Sequence, residues 1–208
     1  MRRLVEERTN TPAEKFTQRM LERSFVMDDA QNYEPDLNDS LGARAARANT
    51  TVWALAMEAL MANDGEGLMM HPFENYSGGN LVVVREMLVS EATVMGLSDA
   101  GAHVGLICDG AAPTFLIKYW ASQRQRGERI ALEFLVNKQT RGNALAYGMP
   151  ERGLIAAGMK ADLNLIDYDA LQLLRPQIVR DMPAGGKRFI QRARGYRHTF
   201  VSGVETLR

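Results

Sequence analysis

Met95-Gly96-Leu97-Ser98-Asp99-Ala100-Gly101-Ala102-His103 is the stretch on which the reading of this chain turns. Thr93 to Leu97 is short, apolar and rich in strand formers, and it stops at Ser98-Asp99, with Gly101 just beyond. That pattern predicts a buried strand ending in a loop. A carboxylate at the C-terminal lip of a parallel strand stands where α/β barrels and open α/β sheets carry their chemistry. Asp99 is therefore the first candidate functional residue. Taken alone, Ser98 to Gly101 reads more readily as a plain turn in which Asp99 bonds backbone amides.

Upstream, Leu81 to Leu88 predicts a helix leading into this strand. Before it, Leu68-Met69-Met70 is a second short apolar run, closed by the polar loop His71-Pro72-Phe73-Glu74-Asn75-Tyr76 and by Gly78-Gly79-Asn80. Phe25-Val26-Met27 is a third. Strand, loop, helix, strand in that order predicts an α/β fold with a parallel sheet and crossover helices. His71, beyond a strand end, is a candidate ligand or substrate contact, or a surface hydrogen bonder. Thr11-Pro12-Ala13-Glu14 reads as a helix cap with Pro at the first position and an acid at the third, opening a helix to about Leu21. Asn32 to Ser40 reads as loop, and Ser40 caps the next helix. A further helix runs from about Val52 to Ala62, where Asn63-Asp64-Gly65 stops it. Its Trp53, Ala56, Leu60 and Met61 predict a core-facing side.

Downstream come Cys108-Asp109-Gly110 and a helix from Pro113-Thr114 through Trp120. Two more helices follow, Ile130 to Lys138 and one from Thr140 ended by Gly148 and Pro150. An adjacent carboxylate raises a thiol's pKa, so Cys108 reads as packing. From Arg152 the character changes. Leu163 to Asp167, Arg188 to Gln191 and Tyr196 to Val201 read as strands, Pro176 to Gly186 as loop. Ser202-Gly203 turns the last strand back into Val204 to Leu207 as a hairpin. The expected organisation is therefore residues 1–152 as strands and helices and residues 153–208 as a small β domain.

A chain of 208 residues can bury a real core, and a hydrophobic fraction of 46% is that of an ordinary globular protein. Lys+Arg and Asp+Glu both number 25, so net charge argues for neither nucleic acid nor an acidic membrane as partner. The single cysteine excludes an internal disulfide and fits a reducing compartment. No apolar run approaches the roughly 18 residues of a membrane helix, and the start lacks a signal-peptide core. The expected location is the cytoplasm.

These residues carry a family resemblance. Gly96-Leu97-Ser98-Asp99-Ala100-Gly101-Ala102-His103, with Cys108-Asp109 and Pro113-Thr114 after it, resembles the end of the last barrel strand in the D-aminoacylase (N-acyl-D-amino-acid deacylase) branch of the amidohydrolase superfamily. Glu151-Arg152-Gly153-Leu154-Ile155-Ala156-Ala157-Gly158-Met159-Lys160-Ala161-Asp162-Leu163-Asn164 resembles the passage from such a barrel into its small β domain. Asn75-Tyr76 with Gly79-Asn80-Leu81, and Pro183-Ala184-Gly185-Gly186 with Gly195-Tyr196, are similar to the same branch.

The resemblance implies metal-dependent hydrolysis of the amide of an N-acyl-D-amino acid on a (β/α)8 barrel. Asp99 maps onto the family's last-strand Asp, which contacts the metal and the hydrolytic water. Zinc, the expected cofactor, lowers the pKa of bound water towards 7 and polarises the amide carbonyl, and a nearby carboxylate takes the proton and passes it to the leaving amine. Asp99 is thus the implied catalytic and metal-binding residue, and Ser98, His103, His71 and Asn75 are candidate substrate contacts. His103 either orients Asp99, touches substrate or satisfies its own loop. Arg141 and Arg152 are further candidates to face a substrate carboxylate, though arginine on a helix or turn is more often solvated.

One departure limits these implications. The family carries a His-x-His pair on its first strand, and here the only histidines are His71, His103 and His198. A catalytic zinc needs three protein ligands, of which the resemblance supplies Asp99. The chain therefore resembles the C-terminal portion of a (β/α)8 metal-dependent hydrolase barrel followed by a small β domain, with most metal ligands expected outside it. A barrel lacking strands has an open edge, so the expected partners, besides the small-molecule substrate, are a complementary N-terminal chain or further copies. The alternative is a non-catalytic remnant or interaction module of the same fold.

Overall fold

The computed structural model describes residues 11–208; the charged segment before Thr11 lies outside them. The chain divides into two compact units, Met1–Val84 and Arg85–Arg208.

In the first unit, helix α1 (Pro12–Glu22) opens with the expected capping box: Thr11 Oγ1 accepts from the Glu14 amide, and Glu14 accepts from the Thr11 amide at 2.8 Å. Strand β1 (Phe25–Met27), helix α2 (Leu41–Arg47, capped by Ser40) and helix α3 (Val52–Gly65, capped by Thr51) follow. Leu41, Ala45, Val52 and Ala56 form the core, with Leu21, Trp53, Leu55 and Met69 packed against it. The buried side of α3 is the narrow stripe Val52, Ala56 and Ala59. Leu60 and Met61, expected in the core, lie off that stripe and are exposed. The helix stops as predicted, with Asn63, Asp64 and Gly65 all at positive φ. Gly67 then presses so close to the α3 backbone that a Cβ there would fall 1.8 Å from the Ala59 carbonyl oxygen.

Strand β2 (Leu68–Met70) pairs with β1, Phe25 opposite Met70 and Met27 opposite Leu68, and the pairing is antiparallel. The parallel sheet expected from the strand–helix alternation is not formed here. Hydrophobic runs fix where strands begin and end, whereas direction is set by which neighbours are available to pair. Helix α4 (Val82–Val89) begins one residue later than predicted.

In the second unit, helix α5 (Ala112–Lys118) passes into a π turn (Tyr119–Gln123), and helix α6 (Leu132–Asn137) into a second (Lys138–Gly142) that continues as α7 (Asn143–Ala146). Trp120, Leu116, Ile117, Leu135 and Leu171 are buried here. Arg124 is buried too. Its guanidinium lies 4.7 Å from the Trp120 ring centre and donates to the Glu128 and Arg126 carbonyls, which closes the turn between α5 and α6.

From Leu163 onward the regular structure is almost wholly strand. Strands β3 (Leu163–Ile166), β8 (Tyr196–Val201) and β9 (Val204–Leu207) form a three-stranded antiparallel sheet in the order β3-β8-β9. The β8–β9 hairpin turns at Ser202-Gly203, both at positive φ, as the sequence predicts. Short strands β4 (Gln172–Leu173) and β7 (Ala193–Arg194) pair with each other. Pro176 to Gly186, expected as loop, holds strand β5 (Gln177–Met182), which pairs with β6 (Gly186–Ile190). Its interior Gln-Ile-Val-Arg-Asp-Met carries strand formers between the flanking Pro and Gly residues that suggested a loop.

The buried strand expected at Thr93–Leu97 is absent. The segment is irregular, no strand pairs with it among the described residues, and Leu97 is 100% exposed. A run of strand formers becomes a strand only where a neighbour supplies the ladder. Here the backbone groups of Ser90 and Met95 are bonded by side chains instead.

Candidate functional site

The loop after Met95 carries Ser98, Asp99 and His103. At its entrance the Met95 amide donates to Asn143 Oδ1 at 3.0 Å, and Asn143 Nδ2 donates to the Met95 carbonyl at 3.2 Å. Just upstream, Lys138 Nζ donates to the Ser90 carbonyl at 2.6 Å and to Thr93 Oγ1 at 3.0 Å. The base of the loop is closed by the Asp109 amide donating to the Asp99 carbonyl at 3.1 Å. Within it, the Leu106 and Ile107 amides both donate to the His103 carbonyl, at 2.7 and 3.0 Å, and His103 takes φ +48°. Its tip is tied to the β region by the Phe189 amide donating to the Val104 carbonyl at 2.7 Å.

The Asp99 carboxylate is exposed and has no hydrogen-bond or ion-pair partner among the described residues; in particular, no bond joins it to His103, which is itself exposed. The loop does bring a second carboxylate to Asp99. Burial raises the Asp109 pKa above the ordinary aspartate value, and the Asp99 charge raises it further. Asp109 was legible as a polar residue beside Cys108, but nothing in the sequence tied it to Asp99 ten positions earlier. Burial also pushes the Cys108 thiol up, with Asp109 adding to the effect, in line with a packing role.

His71 and Asn75 lie in the first unit, on the loop after β2. Asn75 is exposed at φ +60°. His71 is half-buried, with its ring edge-on to Phe73 at 5.1 Å. Its Nδ1 lies 3.1 Å from Oγ of the buried Ser24, whose hydroxyl already donates to the Met20 carbonyl at 2.8 Å. A serine hydroxyl has one proton to give, so the proton between Ser24 and His71 comes from Nδ1. That fixes the tautomer and leaves Nε2 as the acceptor. Burial, then the charge of Arg23, holds the His71 pKa below its ordinary value. Ser98, Asp99 and His103 thus share one loop of the second unit, while His71 and Asn75 share one of the first.

Arg141 and Arg152 are engaged locally. Arg141 donates to the Pro150 and Arg152 carbonyls at 2.6 and 2.9 Å, and Arg152 pairs with Asp162 and Glu151. His198 bonds Glu205 across β8 and β9 at 2.5 Å.

Among the described residues no three His, Cys, Asp or Glu side chains gather as a metal site would require. A catalytic zinc needs three protein ligands and an open position, so these donors do not compose a zinc centre by themselves. Likewise, no helix among the described residues is long and apolar enough to cross a membrane.

Comparison with known proteins gives the class. The 5-methylthioadenosine/S-adenosylhomocysteine deaminase of Pelotomaculum thermopropionicum is 38% identical over 87 residues, which cover 37% of this chain and 20% of the deaminase. The match thus spans about a fifth of that relative's length. No solved structure matches the chain. A profile described as the amidohydrolase family matches residues 24–206, nearly the whole sequence and both units. On that match, the chain belongs to the amidohydrolase family.

Proposed function

We propose that this chain contributes to the metal-dependent hydrolysis of the amide bond of an N-acyl-D-amino acid or a related substrate, with Asp99 as its catalytic carboxylate. The observation that carries this reading is the family match across residues 24–206, on which Asp99 is an exposed, unengaged carboxylate in a loop fixed at its entrance, base and tip. In this reading Asp99 takes a proton from the attacking water as the new C–O bond forms at the carbonyl carbon. It returns the proton to the nitrogen as the C–N bond breaks, leaving a carboxylate and an amine. Ser98 and His103 share its loop as the substrate contacts of this reading. Asp99 is also one ligand of a divalent metal, taken to be zinc, whose remaining ligands come from outside this chain. Residues 1–152 are assigned to the C-terminal part of a barrel and residues 153–208 to part of a small β domain. Because β1 and β2 pair antiparallel here, joining a parallel barrel requires both to exchange partners.

A second reading is deamination, favoured by the 38% identity to the deaminase over 87 residues. Both reactions add water at an sp2 carbon and expel nitrogen, and both use a proton-carrying carboxylate, so Asp99 serves either. A third, a non-catalytic remnant acting as an interaction module, is separated from these by turnover. The test measures release of free amine from N-acetyl-D-amino acids and of ammonia from 5-methylthioadenosine. The chain is assayed with zinc, alone and together with a polypeptide carrying the preceding part of an amidohydrolase. Amine release that is lost in Asp99→Asn is the expected result. Ammonia release alone selects the deaminase reading, and no turnover in any combination sinks both.

A further inference from the structure

Asn143 and Lys138 do something for the Asp99 loop that neither family membership nor sequence pattern assigns. The segment from Ser90 to Met95 has no partner strand among the described residues, yet its polar backbone groups cannot be left unpaired where they are part-buried. Asn143 gives Met95 both bonds of a ladder rung: its Oδ1 accepts the Met95 amide and its Nδ2 donates to the Met95 carbonyl. In an antiparallel sheet, two residues directly opposite exchange the same pair of bonds. A carboxamide can reproduce that rung because it holds an acceptor and a donor on one planar group. Lys138 secures the preceding residues through the Ser90 carbonyl and Thr93 Oγ1.

The π turn explains how both side chains reach one segment. Residues five apart in an α-helix point about 140° away from each other. In the π turn Lys138–Gly142 the wider i→i+5 spacing brings position 143 back over position 138. Asparagine is a poor helix former, and α7 tolerates it at its first residue. Between Met95 and Asp99 little else grips the chain. Gly96 has open space where a Cβ would stand, and Leu97 is fully exposed. Met95 is therefore the fixed point on the upstream side of Ser98 and Asp99, as the Asp109 amide bonded to the Asp99 carbonyl is on the downstream side.

We propose that Asn143, backed by Lys138, is a positioning residue for Asp99, making the ladder rung that no described strand supplies. Its catalytic consequence rests on the role given to Asp99 above; its structural content does not. The test is hydrogen–deuterium exchange on the full chain for wild type, Asn143→Asp, Asn143→Leu and a surface control, Val136→Ala. Asn143→Leu removes both bonds, and exchange of the Met95 amide is expected to quicken about tenfold or more, with the α5 and β8 amides unchanged. Asn143→Asp keeps the acceptor but sets a carboxylate oxygen against the Met95 carbonyl in place of the donor, so exchange at the same amide is expected to quicken as well. That variant also keeps the test alive should the leucine variant fail to fold. Unchanged exchange at the Met95 amide overturns the proposal, and so does an increase spread evenly over the chain, which marks a merely structural residue. In a preparation with turnover, Asn143→Asp lowers kcat with KM held, while Asp99→Asn abolishes turnover and leaves exchange at Met95 unaltered. A failed role for Asp99 is thereby told apart from a failed role for Asn143.

Discussion

His71 shows what a single residue gains from its surroundings. Its partners Ser24 and Met20 lie about 50 positions away in sequence, so neither its tautomer nor its lowered pKa can be read from His71-Pro72 alone. The sign of the pH effect follows. With the folded pKa below the ordinary value near 6.5, the unfolded chain binds more protons between the two values, so stability falls as pH drops from about 6.5 through the folded pKa. Above 6.5 both states carry neutral imidazole and the effect vanishes. His71→Gln keeps a side-chain partner for Ser24 and does not titrate. Melting curves between pH 7.5 and 5 are expected to show a shallower acid decline in the variant than in wild type; parallel declines refute the assignment. Asp99 teaches the converse lesson. Its candidacy was legible because an acid at the end of an apolar run is a local signal, whereas the neighbouring charge of Asp109 depends on a loop closed by a backbone bond.

At the level of elements, caps and tight turns were the legible part. The Thr11 box, the Ser40 cap, the Asn63 to Gly65 stop and the Ser202-Gly203 hairpin each depend on a few adjacent residues. Thr93–Leu97 and β5 depart from the sequence pattern because a strand exists only by pairing: no described strand pairs with the first, while β5 finds β6 just across the Pro183–Gly185 turn. The π turns, too, have no simple composition signal. One consequence concerns Gly153. At φ +76° it presses on the turn that holds Asn143, and a Cβ there would sit 2.6 Å from the Thr140 carbonyl carbon and 2.7 Å from the Arg141 nitrogen. Gly158 has a similar φ, +84°, but open space around it. Gly158→Ala is expected to lower stability by about 1–2 kcal/mol, the strain of a left-handed residue alone. Gly153→Ala adds a backbone clash and is expected to lose about 3 kcal/mol or more, read from urea midpoints at constant m. Equal losses for the two variants would show that the close approach to the π turn carries no energy. Arg141, which clasps the Pro150 and Arg152 carbonyls from the same turn, gives the segment a second hold.

For the molecule as a whole, family membership was legible in continuous motifs, while the pairing that realises a fold was not. Among the described residues the sheets are small: one of three strands and three of two, all antiparallel. Two-stranded ribbons are marginal in water unless they pack against something, and β3 and β9 each present one edge that no described strand covers. Apolar side chains stand out alongside. Leu97, Ile155, Val204 and Leu165 are 100, 86, 66 and 56% exposed, the last two on the sheet whose edges are open. Exposed edges with apolar side chains recruit further chains. This 208-residue polypeptide on its own is therefore expected to associate, its weight-average mass rising with concentration in sedimentation experiments. It is also expected to release zinc on dialysis, since the described donors do not compose a three-ligand centre. The two expectations share one cause among the described residues, uncovered strand edges and an incomplete ligand set, so a single addition tests them jointly. A polypeptide carrying the preceding part of an amidohydrolase should suppress self-association and raise zinc retention in the same titration. A concentration-independent monomer that melts in one sharp transition and keeps stoichiometric zinc by itself would refute this account of the chain.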